Sequence, residues 1–174
     1  MKPFELIPFT PDSNLQVWVT GNIERRHNQL NIKYNLAGQE TIIVPQAAAS
    51  PLRQFDLWEH TCCEFFLGIP NSTEYWEFNL SPAGHWNVFH FLNYRQNIAE
   101  EMAFNCLPFQ VSSSGRGLQL SLKLDLSKII ASEQSLAVGI TAVIEDQAGL
   151  SYWALSHPNK EADFHLRDSF IIEL

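Results

Sequence analysis

Leucine stands at every second position from 118 to 126, at Leu118, Leu120, Leu122, Leu124 and Leu126, with Gln119, Ser121, Lys123 and Asp125 between them. Successive side chains of a strand point to opposite sides of its sheet, whereas the apolar positions of a helix recur every three or four residues. Five leucines in alternation therefore require a strand with one buried and one polar face. A chain built around such a strand must form a sheet that covers a core.

The same period recurs along the sequence. Residues 15–20 alternate, residues 30–36 alternate with Leu30, Ile32, Tyr34 and Leu36 in step, and the polar stretch 22–29 between them predicts a hairpin. A turn at 37–40 leads to a short β-branched strand at 41–44, ended by Pro45, then a loop over 46–57 with one helical turn at 47–49. Strands at 61–67, 75–80 and 86–91, joined by short turns, predict a meander. In the first, Cys63, Phe65 and Leu67 share a face opposite Cys62, Glu64 and Phe66. In the second, Trp76, Phe78 and Leu80 oppose Tyr75, Glu77 and Asn79. Residues 94–105 fit either a short helix or a polar excursion. Strands follow at 109–112, 118–126, 136–144, 150–155 and 170–174, with a flexible run at 113–117 and a helical turn at 127–130. Ten to eleven short strands without alternating long helices predict an all-β fold, a jelly-roll-like, two-sheet antiparallel β-sandwich with short helical turns.

A chain of 174 residues is expected to form one domain over 1–174. Its 19 acidic residues outnumber 11 basic ones, giving a formal charge of -8, which argues against nucleic acid or an anionic membrane as partner. The N-terminal stretch lacks the apolar core of a signal peptide, and no segment is long enough to span a bilayer as a helix. With three cysteines, an odd number, the expectation is a cytoplasmic protein with reduced thiols. Nothing in the sequence bears on its oligomeric state.

Glu64 and Glu77 occupy the polar registers of consecutive strands. Paired carboxylates there could bind sugar hydroxyls, act as acid and base in glycoside hydrolysis, or hold Arg95 in a structural ion pair. Asn79 shares the Glu77 face, and its amide both donates and accepts. Trp58, Trp86 and Trp153 are candidates for stacking on a sugar ring, while Trp18 and Trp76 read as core. His60 lies close to Cys62, and the loop carrying His157, Lys160, Asp163 and His165 forms a second polar cluster. Neither has the pairwise Cys/His spacing of a structural zinc site, and no loop is dense in acids for calcium. No cofactor is expected.

Several segments taken in order, Leu57-Trp58-Glu59-His60-Thr61-Cys62-Cys63-Glu64-Phe65-Phe66, Tyr75-Trp76-Glu77-Phe78-Asn79-Leu80-Ser81-Pro82, Gly84-His85-Trp86, Tyr94-Arg95, Tyr152-Trp153-Ala154-Leu155-Ser156-His157-Pro158 and Lys160 through Asp163-Phe164-His165, resemble bacterial proteins with a DOMON-like domain. The wider superfamily includes family 9 carbohydrate-binding modules and haem- or sugar-binding DOMON domains. The resemblance implies a β-sandwich that binds its ligand in a groove on one sheet or at its edge. In the family 9 modules two tryptophans clamp a terminal sugar, but the resemblance assigns neither to a numbered residue here. The haem-binding type uses a methionine and a histidine, and the chain's one internal methionine is Met102.

Four functions remain open from the sequence. The leading one is non-catalytic binding of a small saccharide-like ligand by Glu64, Glu77, Asn79 and Arg95 with Trp58 or Trp153, or by the adjoining loop with His60, His157, Lys160, Asp163 and His165. The others are a glycan-directed hydrolase using Glu64 and Glu77, and a structural or partner-binding domain. Haem binding is the weakest possibility.

Overall fold

The computed structural model describes residues 1–11, 16–38, 42–114 and 117–174. Twelve strands are present among them: β1 (Lys2–Pro8), β2 (Trp18–Arg26), β3 (Gln29–Ala37), β4 (Cys62–Gly68), β5 (Tyr75–Leu80), β6 (Trp86–Phe91), β7 (Ala99–Glu100), β8 (Phe109–Ser114), β9 (Gly117–Asp125), β10 (Ala137–Asp146), β11 (Gly149–Ala154) and β12 (Ile172–Glu173). Leu15, Gln39, Glu40, Thr41, Gly115 and Arg116, which carry parts of the expected strands, turn and flexible run, lie outside the described residues. Ile42, Ile43 and Val44 are not in a strand.

The expected jelly-roll-like, two-sheet sandwich is not what forms. The strands make a single antiparallel sheet in the order β7-β6-β5-β4-β10-β11-β1-β2-β3-β9-β8, with β12 added beside β10, and this sheet curls into a half-barrel. Its joint is β1. Residues 2–6 pair with β2, and Ile7 and Pro8 pair instead with Ala154 and Trp153 of β11. One strand thereby belongs to both arms of the sheet.

The strand that unites the arms lies in the proline-rich start of the chain, which reads as irregular because proline donates no ladder hydrogen bond. Its second side is paired only at its end, so Pro3 stands where β1 still has a side without ladder. Phe4 and Leu6 alternate into the core, the signal beneath the prolines.

Curling sets the apolar faces of the two arms against each other. From one arm come Leu118, Leu120, Leu122 and Leu124 of β9 and Leu30, Ile32, Tyr34 and Leu36 of β3. From the other come Cys63, Phe65 and Leu67 of β4, Trp76, Phe78 and Leu80 of β5, and Val138, Ile140 and Ala142 of β10. The faces expected for the meander are those observed. Trp18, expected in the core, is instead 53% exposed, because at the start of β2 it stands between the buried Val17 and Val19. The 94–105 segment contains no helix, only the two-residue β7 and turns. The short helical pieces are 3-10 turns at Leu57–Glu59 and Arg167–Ser169.

Every residue of β4 and β5 is buried. Their second face is covered because the segment after β11 folds back across it, and Phe66, Tyr75, Phe89, Phe91 and Phe170 form a separate apolar cluster there. Two glycines leave room for this return. A Cβ on Gly68 would fall within the Arg167 guanidinium, and one on Gly139 would stand 2.7 Å from the Phe170 ring. Arg167 then donates to the carbonyls of Ile69 at 2.9 Å and Glu74 at 3.2 Å, tying the returning segment to the end of the β4 strand and the turn beyond it.

A buried hydrogen bond crosses between the arms: the Tyr34 hydroxyl on β3 donates to the Glu64 carbonyl on β4 at 2.6 Å. Removing one buried hydrogen bond typically costs about 1–2 kcal/mol. Tyr34→Phe is expected to lower the urea midpoint by about that amount with an unchanged slope, measured by fluorescence-monitored unfolding.

Candidate functional site

On the outer face of β4, β5, β6 and β10, a cavity of about 340 Å3 opens beside the returning segment. Its base is Glu64 and Glu77. Phe89 and Phe91 from β6, Val143 from β10, and Ala162, Phe164 and His165 from the returning segment form its walls, with Trp58, Arg95, Ile98 and Tyr152 completing the lining. Trp58 is 36% exposed, held in its 3-10 turn with its ring edge-on to Phe89 at 6.1 Å.

The register explains why the carboxyls meet. Glu64 pairs directly with Asn79 on β5 and with Thr141 on β10, and Glu77 is two residues along β5 from Asn79. Residues offset by two across an antiparallel pair are diagonal neighbours on one face. Glu64 is 2% exposed and Glu77 6% exposed. The Thr141 hydroxyl donates to one Glu64 oxygen, Oε2, at 3.3 Å, and the Asn79 amide donates to Glu77 Oε1 at 2.9 Å. Glu64 Oε1 and Asn79 Oδ1, both buried, have no partner among the described residues.

Burial pushes the Glu64 carboxyl well above the usual carboxylate range, and the charge of Glu77 pushes it further in that direction, against the Thr141 hydrogen bond. Burial also pushes Glu77 up to about 7, although Asn79 and the Arg95 charge pull it down. Glu64 and Asn79 are direct partners across β4 and β5, so a proton on Glu64 would supply a donor beside the orphaned Asn79 oxygen. Turning the amide over merely moves the deficit to Glu77. In either orientation the trio needs one proton.

His165 is neutral, since burial lowers it to about 4. Its contact with Glu77, Nε2 to Oε2 at 3.9 Å, is accordingly not an ion pair. The Tyr75 hydroxyl lies 2.9 Å from His165 Nδ1 and accepts the Arg95 backbone N–H at 3.2 Å. Burial raises Tyr75 to about 12, so it keeps its proton. A Tyr75 hydroxyl that accepts from Arg95 and donates its own proton to Nδ1 places the His165 proton on Nε2, toward Glu77.

Arg95 does not pair with either glutamate. Its guanidinium donates to Asp163 Oδ1 at 3.0 Å, and the Tyr94 hydroxyl donates to Asp163 Oδ2 at 2.5 Å. Burial pushes Asp163 upward, but these hydrogen bonds outweigh it and hold the carboxylate below its ordinary range. Arg95 adopts a left-handed backbone with φ 51°, an uncommon conformation outside glycine, which lets its N–H reach Tyr75 while its side chain turns to Asp163.

The structure brings together Trp58, Glu64, Glu77, Arg95 and His165 around the cavity, with Asn79 beneath the two glutamates and Asp163 behind Arg95. The remaining candidates lie elsewhere. His60 bonds Glu145 at 2.8 Å, and His157 bonds the Ile7 carbonyl at 2.9 Å. Lys160 is exposed and does not line the cavity. Trp153 packs in the main core with its indole N–H donated to Ser151, and Trp86 is buried there too, under the Arg53 guanidinium. Phe89, Phe91, Thr141, Tyr75, Tyr152 and Phe164 belong to the site but escape the sequence reading. Phe89 and Phe91 alternate with Val88 and His90, so their face could be read; Tyr152 and Phe164 could not be placed without the return of the chain. Among the described residues, no three metal-ligating side chains converge.

No family model matches the chain, and no curated protein matches it. Solved structures do. A proposed carbohydrate-binding protein from Bacteroides uniformis superposes with a TM-score of 0.79 at 14% identity, over 98% of this chain and 84% of that one. A family 9 carbohydrate-binding module from Caldicellulosiruptor kristjanssonii in complex with glucose gives 0.55 at 11% identity, over 93% and 78%. The module from that organism in complex with cellotriose gives 0.54 at 11%, over 97% and 80%. At such identities the relationship to the family 9 modules is distant and one of fold.

The raised glutamates give the site a pH signature. A carboxyl whose folded value exceeds its unfolded one binds more protons in the native state, so its contribution to stability is present below about 4.5 and is lost as pH rises through about 7. For Glu77 that loss is on the order of 3 kcal/mol, and Glu64 changes stability in the same direction. The melting temperature is expected to fall between pH 5 and pH 8. Glu64→Gln, which needs no proton to donate to Asn79, is expected to flatten that fall and to melt above the wild type at pH 8, as read by differential scanning calorimetry.

Proposed function

We propose that this cavity binds a small saccharide-like ligand and does not turn it over. The observation that carries the reading is a concave site with two buried carboxyls as its base and aromatic rings around them. Ring faces suit the apolar C–H faces of a pyranose, and acceptors at the base suit its outward hydroxyls. The volume of about 340 Å3 falls in the lower part of the range of roughly 300–1,000 Å3 usual for small-ligand pockets, which fits one sugar unit or the end of a longer glycan. The fold shared with modules solved with glucose and cellotriose, and the motif order resembling bacterial DOMON-like proteins, support the same reading.

A hydrolase remains the second reading, on the strength of a carboxyl pushed well above its ordinary range beside one raised to about 7, the pairing that divides acid and base roles. Its weakness is placement. Both carboxyls lie side by side in one base, whereas glycosidases set them on either side of the scissile bond.

Calorimetric titration with mono- and oligosaccharides is expected to give measurable heat, and Trp58→Ala to weaken that binding by about tenfold, roughly the worth of one aromatic contact. Absence of heat with every sugar would sink the binding reading. Release of reducing ends that disappears in both Glu64→Gln and Glu77→Gln would replace it with the hydrolase.

A further inference from the structure

We propose that the ligand of this cavity is an amino-bearing saccharide, held by a protonated amine that donates to Glu64 and Glu77 beneath the aromatic walls. The inference rests on the saccharide reading above and narrows it to one chemical class.

The argument is an inventory of donors and acceptors. At the base, Glu64 Oε1 is without a partner among the described residues, Glu77 Oε2 has His165 Nε2 no nearer than 3.9 Å, and beneath them Asn79 Oδ1 is unpartnered as well. Two carboxyls thus line the cavity with acceptor capacity that no donor of the described residues fills, over a third unfilled acceptor. A sugar hydroxyl brings one proton and two lone pairs, so it satisfies one acceptor while turning its lone pairs toward the others. An ammonium brings three protons and no lone pair. Only the second matches a base made of acceptors.

Charge points the same way. The Arg95 charge draws Glu77 down only in part, since its guanidinium is paired with Asp163 at 3.0 Å, and His165 is neutral, so among the described residues no cation forms an ion pair with either glutamate. The walls favour a cation as well, because aromatic faces attract one electrostatically; Phe89, Phe91 and Phe164 all line the cavity. In the empty cavity one proton on the Glu64-Asn79-Glu77 trio relieves the acceptor excess. An incoming ammonium supplies its own protons and releases that one to solvent. The exchange balances, with a monocation bound and up to one proton freed.

The test is calorimetric titration of the full chain at pH 7 with D-glucosamine, D-glucose, N-acetyl-D-glucosamine and cyclohexylamine, each in two buffers of different ionisation enthalpy. Charge-assisted hydrogen bonds are roughly twice as strong as neutral ones, so glucosamine is expected to bind at least about tenfold more tightly than glucose. N-acetylation, which removes the charge, is expected to abolish that advantage. The difference between buffers should report proton release with glucosamine and none with glucose. In Glu77→Gln the preference is expected to shrink to about twofold; should that variant fail to fold, the wild-type comparison of glucosamine with its N-acetyl form decides alone. Glucose binding as tightly as glucosamine overturns the amine while leaving the saccharide reading intact. Cyclohexylamine binding when no sugar binds overturns the saccharide half of the proposal. Absence of binding by all four probes overturns both.

Discussion

β4 and β5 are buried along their whole length, and the site follows from that constraint. A strand covered on both faces must satisfy within the protein every polar group it carries, or keep that group uncharged. Cys63, Phe65 and Leu67 meet this condition trivially against the opposite arm. Glu64, Glu77 and Asn79, on the other face, meet it only by sharing hydrogen bonds and raising the affinity of the carboxyls for protons. The low solvation that makes these glutamates expensive to ionise is also what would make a donor reaching them strongly bound.

The alternation in the sequence carried the reading of strands and faces a long way. The leucines of β9, the hairpin of β2 and β3, and the two-sided character of β4 and β5 follow from period two alone. What period two cannot supply is which strand pairs with which. The sheet closes through β1, whose prolines mask the Phe4 and Leu6 alternation, and a sandwich and a half-barrel place the same residues inward. Trp18 shows the limit on a smaller scale: an aromatic in an alternating strand reads as core, yet its neighbours Val17 and Val19 occupy the inward register and the indole faces out.

At the site the sequence identified the base and missed the roof. Glu64, Glu77 and Asn79 share a register that can be counted, and Trp58 and His165 stand in segments with a recognisable order. Of the three roles open to the glutamates, the ion pair with Arg95 does not form, because the returning segment brings Asp163 to Arg95 from 68 residues away. That return is allowed by Gly68 and Gly139, where a side chain would occupy the space of Arg167 or Phe170. Two residues with no side chain thus decide what covers the carboxyls, and no local pattern marks them.

The double membership of β1 bears on how the chain reaches its native state. The β2–β3 hairpin and the meander of β4, β5 and β6 join neighbours in sequence and can form as soon as they are synthesised. The pairing of Pro8 with Trp153 spans most of the chain, and closing so large a loop is an entropic cost that only already formed arms can offset. Folding then resembles fastening a garment: both panels must exist before the one seam that makes them a single cloth can be drawn shut.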